Sequence, residues 1–328
     1  MKHFREKIPL TLAVLLYILI YLVRFQQGGW EPKPDLFPEF RKGLDKKIAL
    51  SLPSPQAELL SGIVLGNKKD LPYDLKLALR DTSTLHIVVV SGQNLSLLAA
   101  ILMRSAGILK RKLAITLTVM AMLGFVILTG GQIPVLRAAL MASLSYLAQF
   151  TGRQADGFWT LIVIAGLMLL INPIWITDLS FQLSFLATFG VVVVAPILSN
   201  SFKIGSKFLK ENIMVTLAAQ IMVTPVIIQN FHQLSLVSIP ANLLVLWVIP
   251  YIMGGGLILL ILSLFSNLLA QFLALILEVL LTYFIYIVQF FASFSFAWQY
   301  IGEQVWVVWV GYYMILAGGL VALSKTKD

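Results

Sequence analysis

Arg137 is the side chain whose position asks most for an explanation. It lies four residues into an apolar stretch at 132–150, about 6 Å from the helix end at 1.5 Å rise per residue. A charge in hydrocarbon is costly and is kept where it meets a bundle interior or a water-filled cavity. Polar side chains recur on neighbouring apolar stretches. The stretch 179–198 follows Asp178 and carries Gln182, with Ser180, Ser184 and Thr188 at four-residue spacing. The stretch 212–228 carries Thr216, Gln220 and Thr224 at the same spacing, then Pro225. The stretch 237–262 begins with Ser238, Pro240 and Asn242, and 85–103 carries Ser91-Gly92-Gln93-Asn94. Residues four apart share a helix face, so these are stripes rather than scatter. The pattern predicts a polar cavity with Arg137 and Asp178 paired in it. The competing reading is ordinary hydrogen bonding between helices through Ser, Thr and Gln, which needs no cavity. Ser91-Gly92 also suggests a broken helix, since unwound backbone is tolerated where it lines a cavity. Glu278 stands alone deep in 268–292, either as an ion site or bonded to a neighbouring helix.

Other chemistries find little support. The three histidines, His3, His86 and His232, form no His-Glu-x-x-His run, and there is no cysteine, so a metal-dependent hydrolase is not expected. No phosphate-binding G-x-x-x-x-G-K-[ST] loop occurs, so the chain does not power itself with ATP. A Ser91–His232 protease would lack a Gly-x-Ser-Gly context. No enzymatic role and no cofactor are expected.

The elements that must position these residues follow from hydropathy. The 328 residues have a mean hydropathy of +0.90, with 59% hydrophobic and 12% charged. That charged share is about half of a soluble domain's, so lipid must be the solvent. A crossing helix needs about 20 apolar residues. Candidate stretches lie at 9–25, 85–103, 113–129, 132–150, 157–171, 179–198, 212–228, 237–262, 268–292 and 305–323. The 157–171 stretch is short, and Gly254-Gly255-Gly256 is expected to interrupt the 237–292 region. The expected fold is all-α: a polytopic helical membrane bundle of about ten transmembrane helices.

Charge sets the orientation. The net +9 does not mark a nucleic-acid binder, because Lys and Arg crowd 2–7, 104–112, 153, 203–210 and 325–327. The short loops 130–134, 172–178, 229–236 and 293–304 hold neither. Cytoplasmic loops carry such an excess, so both termini are expected in the cytoplasm, and the polar stripes fall in the outer half of the membrane or near its middle. Residues 1–28 are read as an uncleaved signal-anchor helix, since Arg24-Phe25-Gln26-Gln27-Gly28 offers no small-x-small cleavage site. Residues 29–84 form an extracytoplasmic segment. It opens on a Trp30–Pro34 linker, then an amphipathic helix bearing Phe40, Leu44, Ile48 and Leu52 every four residues, expected in the membrane interface. Two short helices are expected at 55–66 and 71–80. Residues 85–328 form the transmembrane core.

Several runs in that core resemble a known family. Thr84-Leu85-His86-Ile87-Val88-Val89-Val90-Ser91-Gly92 is similar to the His-Leu-Leu-Ala-Ile-Ser-Gly-Leu-His signature of the ComEC competence family. Pro134-Val135-Leu136-Arg137-Ala138-Ala139 resembles its Arg-Ala helix. Asp178-Leu179-Ser180-Phe181-Gln182-Leu183-Ser184-Phe185-Leu186-Ala187 resembles its most specific block. Glu58-Leu59-Leu60-Ser61-Gly62-Ile63-Val64-Leu65-Gly66, and further on Gln220, Pro225, Phe231, Ser235, Pro240-Ala241-Asn242-Leu243 and Pro250, also match in order. The resemblance runs from about 40 to 255. It implies a channel subunit passing single-stranded DNA across the bacterial cytoplasmic (inner) membrane during competence. Ser91, Gly92, Asn94, Arg137, Asp178, Gln182, Gln220 and Asn242 would line its path. The resemblance also implies an outside DNA receptor, a cytoplasmic ATPase or helicase and a separate nuclease as partners, with homo-oligomers as a further option. There are two departures. Where the family has His, this chain has Asn94, which cannot titrate. The family's soluble OB-like and metallo-β-lactamase-like domains find no room here, so the membrane core alone is expected. From another class, the same core would serve a small-solute or lipid-precursor transporter.

Overall fold

The computed structural model describes residues 16–27, 37–67, 70–88, 92–104, 110–150, 152, 154–201 and 207–325. Nearly all are helical. The helices are α1 (Leu16–Gln26), α2 (Pro38–Ser51), α3 (Gln56–Leu65), α4 (Tyr73–Asp81), α5 (Leu85–Val88), α6 (Gly92–Arg104), α7 (Arg111–Leu128) and α8 (Ile133–Phe150). They continue with α9 (Gly157–Ile171), α10 (Leu179–Phe189), α11 (Ala195–Ser201), α12 (Lys207–Phe231), α13 (Ser238–Leu246), α14 (Ile249–Phe265), α15 (Asn267–Ala292) and α16 (Trp306–Lys325). A π turn, Gly190–Val194, joins α10 to α11. Among the described residues the only strands are β1 (Gln233–Ser235) and β2 (Trp298–Tyr300), paired antiparallel with Ser235 opposite Trp298.

Six described helices are long and apolar enough to cross a membrane: α7, α8, the α10–α11 unit, α12, α15 and α16. The bent pair α13–α14, at 47°, makes a seventh if taken as one span. The chain is therefore a multi-pass membrane protein. The expected stretches are helical wherever they are described, but some are short. α6 has 13 residues and α9 has 15, below the ~20 that cross hydrocarbon unaided. The bend also differs from expectation. It falls at Trp247–Val248, next to Pro250 in the first turn of α14, where proline's ring and missing N–H disfavour a continuing helix. Gly254-Gly255-Gly256 lies inside α14, where Gly255 and Gly256 serve packing instead. A Cβ on Gly256 would come within 2.7 Å of Leu60 Cδ1 and 2.8 Å of Val64 Cγ2.

That contact belongs to the main core, where α2, α3 and α4 pack against α14 and α15. Of the expected stripe, Leu44, Ile48 and the C-capping Leu52 are buried against protein and not in the membrane interface, whereas Phe40 is exposed. α3 is buried almost throughout. Arg41 Nε donates to Leu128 O at 3.0 Å and Gln132 Nε2 to Gly66 O at 3.0 Å, which seats this segment on the α7–α8 turn. The basic residues Arg111 and Lys112 lie at the opposite end of that hairpin, against Gln149 and Phe150. Three cations from outside the basic loops meet helix C-termini: Arg41 at α7, Arg24 at α9 through Leu170 O, and Lys47 at α14 through Ser263 O. Carbonyls there lack intrahelical donors, and the helix dipole favours positive charge.

α16 attaches differently. No residue in Trp306–Leu323 is buried. Pro225 inside α12 removes the N–H that would serve Ile221 O. Tyr312 OH donates to that carbonyl at 2.9 Å, and Tyr313 OH to Met222 O at 2.8 Å. Trp309 Nε1 adds a bond to Gln229 Oε1 at 2.7 Å. Tyr312→Phe combined with Tyr313→Phe should lower unfolding free energy in mixed micelles by about 2 kcal/mol, at ~1 kcal/mol per hydrogen bond. Phe keeps the ring, so the loss reads the hydroxyls alone.

Candidate functional site

Three helices converge on Arg137. Its side chain projects from α8 and is 8% exposed. Nε donates to Ser184 Oγ at 2.7 Å, and Nη1 donates to Thr188 Oγ1. Met141 Sδ lies 3.8 Å from Nη1, and the Phe185 ring lies 5.7 Å from the guanidinium carbon. The i, i+4 spacing on α10 turns Ser184 and Thr188 toward one neighbour, and the Phe185 face lies beside them. Thr188 Oγ1 gives its own proton to Ser184 O at 2.9 Å, so its lone pairs remain to accept. Gly92, at the start of α6, completes the site. A Cβ there would sit 2.7 Å from Arg137 Nη2 and 3.1 Å from Ala138 Cβ. Only a residue without a side chain lets α6 come this close.

Asp178 does not pair with Arg137, contrary to the expectation. Its Oδ1 accepts from Phe181 N at 3.0 Å and caps α10. A carboxylate at an N-cap has free amides beside it, and those take it before the guanidinium on α8 can. Gln182 is likewise engaged locally, donating to Ile176 O at 2.9 Å across the 3-10 turn Pro173–Thr177. Ser91 lies outside the described residues. Asn94 is 1% exposed and donates to Ile63 O at 3.1 Å, tying α6 to α3.

Gln220 and Asn242 form a second polar cluster between α12 and α13. Ser238 Oγ donates to Gln220 Oε1, and Asn242 Nδ2 reaches Ser238 Oγ at 3.5 Å. Asn242 is 3% exposed, and its Oδ1 has no hydrogen-bond partner among the described residues. Glu278 is half-buried on α15.

The described candidate residues thus fall in two clusters plus local caps. Two hollows of about 350 Å³ lie away from these clusters, among the described residues. One is apolar, between Phe189, Val193, Met222, Tyr313 and Leu316, and the other lies between Leu50, Ser51, Gln271 and Phe272. Neither touches a candidate residue. The partners Ser184 and Thr188 were visible in the sequence as a stripe, but nothing there linked them to Arg137. The π turn just below Thr188 had no sequence signal.

Chemically, the Arg137 site is a buried cation held by neutral acceptors and a ring face, with no carboxylate in reach among the described residues. Hydroxyl partners leave its charge uncompensated, and a guanidinium in that condition suits an anionic oxygen, above all a phosphate.

A family model described as "Competence protein" matches residues 63–326. A curated relative, ComE operon protein 3 of Bacillus subtilis (strain 168), is 34% identical over 77 residues, which is 24% of this chain and 9% of that protein. The aligned stretch therefore covers a small part of that relative's length. No solved structure matches the chain.

Proposed function

The chain belongs to the competence protein family, and from that membership we propose that it forms a conduit for single-stranded DNA across the cytoplasmic membrane. The observation that carries the reading is the Arg137 guanidinium, buried among neutral acceptors where α6, α8 and α10 meet. A polyanion in a low-dielectric path needs donors to replace its water. In this reading a passing phosphate takes the place of the Ser184 and Thr188 hydroxyls on Arg137. Their return as the phosphate leaves keeps the contact brief. Gln220, Ser238 and Asn242 offer a second, uncharged station, with the Asn242 carbonyl as an acceptor for base N–H groups. Ser91, Asn94, Asp178 and Gln182 frame the path.

The short helices α1, α6 and α9 count as crossings in this reading. That gives about ten, with both termini in the cytoplasm beside the basic loops. The protein itself catalyses no reaction. Directional force comes from partners: a DNA receptor outside, an ATPase or helicase inside, and a separate nuclease where one strand is degraded.

Deleting the gene in a naturally competent host, then measuring internalised labelled DNA, tests the reading. Uptake should fall to background and return with the wild-type gene. Undiminished uptake in the deletant would remove the DNA reading and leave a small-solute transporter.

A further inference from the structure

The β1–β2 ribbon carries a second surface that the conduit does not use. α12 runs into β1, α15 runs toward β2, and β2 leads into α16. All three helices are of membrane-crossing length, so the ribbon sits at a membrane boundary. All three β2 residues are exposed. Trp298 and Tyr300 share one face of the strand, two residues apart, opposite Ser235 and Gln233. Around them Phe296 is 59% and Trp306 70% exposed, and Phe294 stacks on Phe296 at 5.2 Å.

Two partners take exposed aromatic rings: single-stranded nucleic acid and the lipid headgroup layer. Charge decides between them. A stacking platform for nucleic acid combines its rings with a cationic groove. Neither 229–236 nor 293–304 contains Lys or Arg, and Glu303 is the one acidic residue in the two segments. Trp and Tyr without cations are what the membrane–water interface collects, the ring among acyl chains and the N–H or O–H among headgroups.

We propose that the β1–β2 ribbon, through Trp298, Tyr300, Phe296 and Trp306, is inserted in the lipid headgroup boundary and anchors the ends of α12, α15 and α16 there. DNA then approaches the conduit over another part of the rim.

The cysteine-free sequence makes the test direct. Single variants Tyr300→Cys, Gln299→Cys and, as a water-exposed reference, Lys46→Cys carry a nitroxide label in phosphatidylcholine vesicles without DNA. Gln299→Cys keeps every aromatic ring, so it reads the ribbon's depth should Tyr300→Cys misfold. Labels at 299 and 300 should collide with lipid-soluble oxygen more than with an aqueous nickel chelate, and their nickel access should be severalfold below that at position 46. Nickel access equal to position 46 at both sites overturns the proposal. So does an aqueous signal that disappears only when a single-stranded oligonucleotide is added, which would make the ribbon a DNA platform. Because the measurement uses no DNA transport, its failure leaves the conduit reading standing, and loss of the conduit reading leaves the anchor standing.

Discussion

Arg137→Gln should cut uptake of labelled DNA about ten- to hundredfold while the protein still inserts and folds. A hydrogen bond to a charged group is worth about 1.5–3 kcal/mol, and each 1.4 kcal/mol is a factor of about ten. Gln keeps a donor for Ser184 Oγ but has no charge to offer a phosphate. Folding should survive, because Ser184 and Thr188 already sit in helical hydrogen bonding; Thr188 bonds Ser184 O at 2.9 Å. Removing the buried cation removes its desolvation cost as well. Arg137→Lys should recover little. An ammonium lacks the fork that reaches Ser184 and Thr188 from two nitrogens. The measurements are uptake in the complemented deletant and thermal unfolding of the purified variant. An uptake loss matched by an equal loss of folded protein would show Arg137 to be structural only.

Gly190→Ala should destabilise the bundle by about 1–3 kcal/mol, the usual cost of overpacking. Gly190 opens the π turn where α10 crosses α12. An added Cβ would lie 2.6 Å from Ala218 O, 2.9 Å from Ala218 C and 3.1 Å from Ala219 Cα. Those are backbone atoms and cannot swing aside as a side chain would, so the two helices must part. Ser184 and Thr188 ride on the same helix, and their hold on Arg137 should loosen with it. Gly254→Ala is the control. Its Cβ meets nothing within 4 Å, and a helix gains about 0.5–1 kcal/mol from Ala over Gly. Denaturation in mixed micelles should move in opposite directions for the two variants.

Much of this was legible in the sequence because membrane physics is simple. Apolar runs, a four-residue repeat along α2, and the expense of an Arg in hydrocarbon each have one dominant cause. The misreadings arose where two causes competed. Asp178 looked like a counter-ion because opposite charges attract, yet the free amides at the start of α10 were nearer. The Gly254–Gly256 run looked like a helix breaker, yet in a tightly packed core the absence of Cβ at Gly256 and Gly255 lets α3 and α15 approach. The helix at 56–65 was expected only as one short element of an extracytoplasmic segment. Eight of its ten residues, Ala57 and Leu59 through Leu65, are buried, so the core encloses it. The Ser184–Thr188 stripe shows which residues share a face but not which neighbour that face meets, and only tertiary structure supplies the neighbour.

Pro225 in α12 has a consequence for biogenesis. Ile221 and Met222 are synthesised long before Tyr312 and Tyr313, 91 residues later in the chain. Until Tyr312 emerges from the ribosome, Ile221 O, which Pro225 leaves without an intrahelical donor, stands unpaired in a medium that offers no hydrogens. Peptide groups in that state are costly, and they attract any donor that comes by. The newborn protein is therefore most exposed to wrong pairing, or to a quality-control protease, in the interval between the insertion of α12 and the docking of α16.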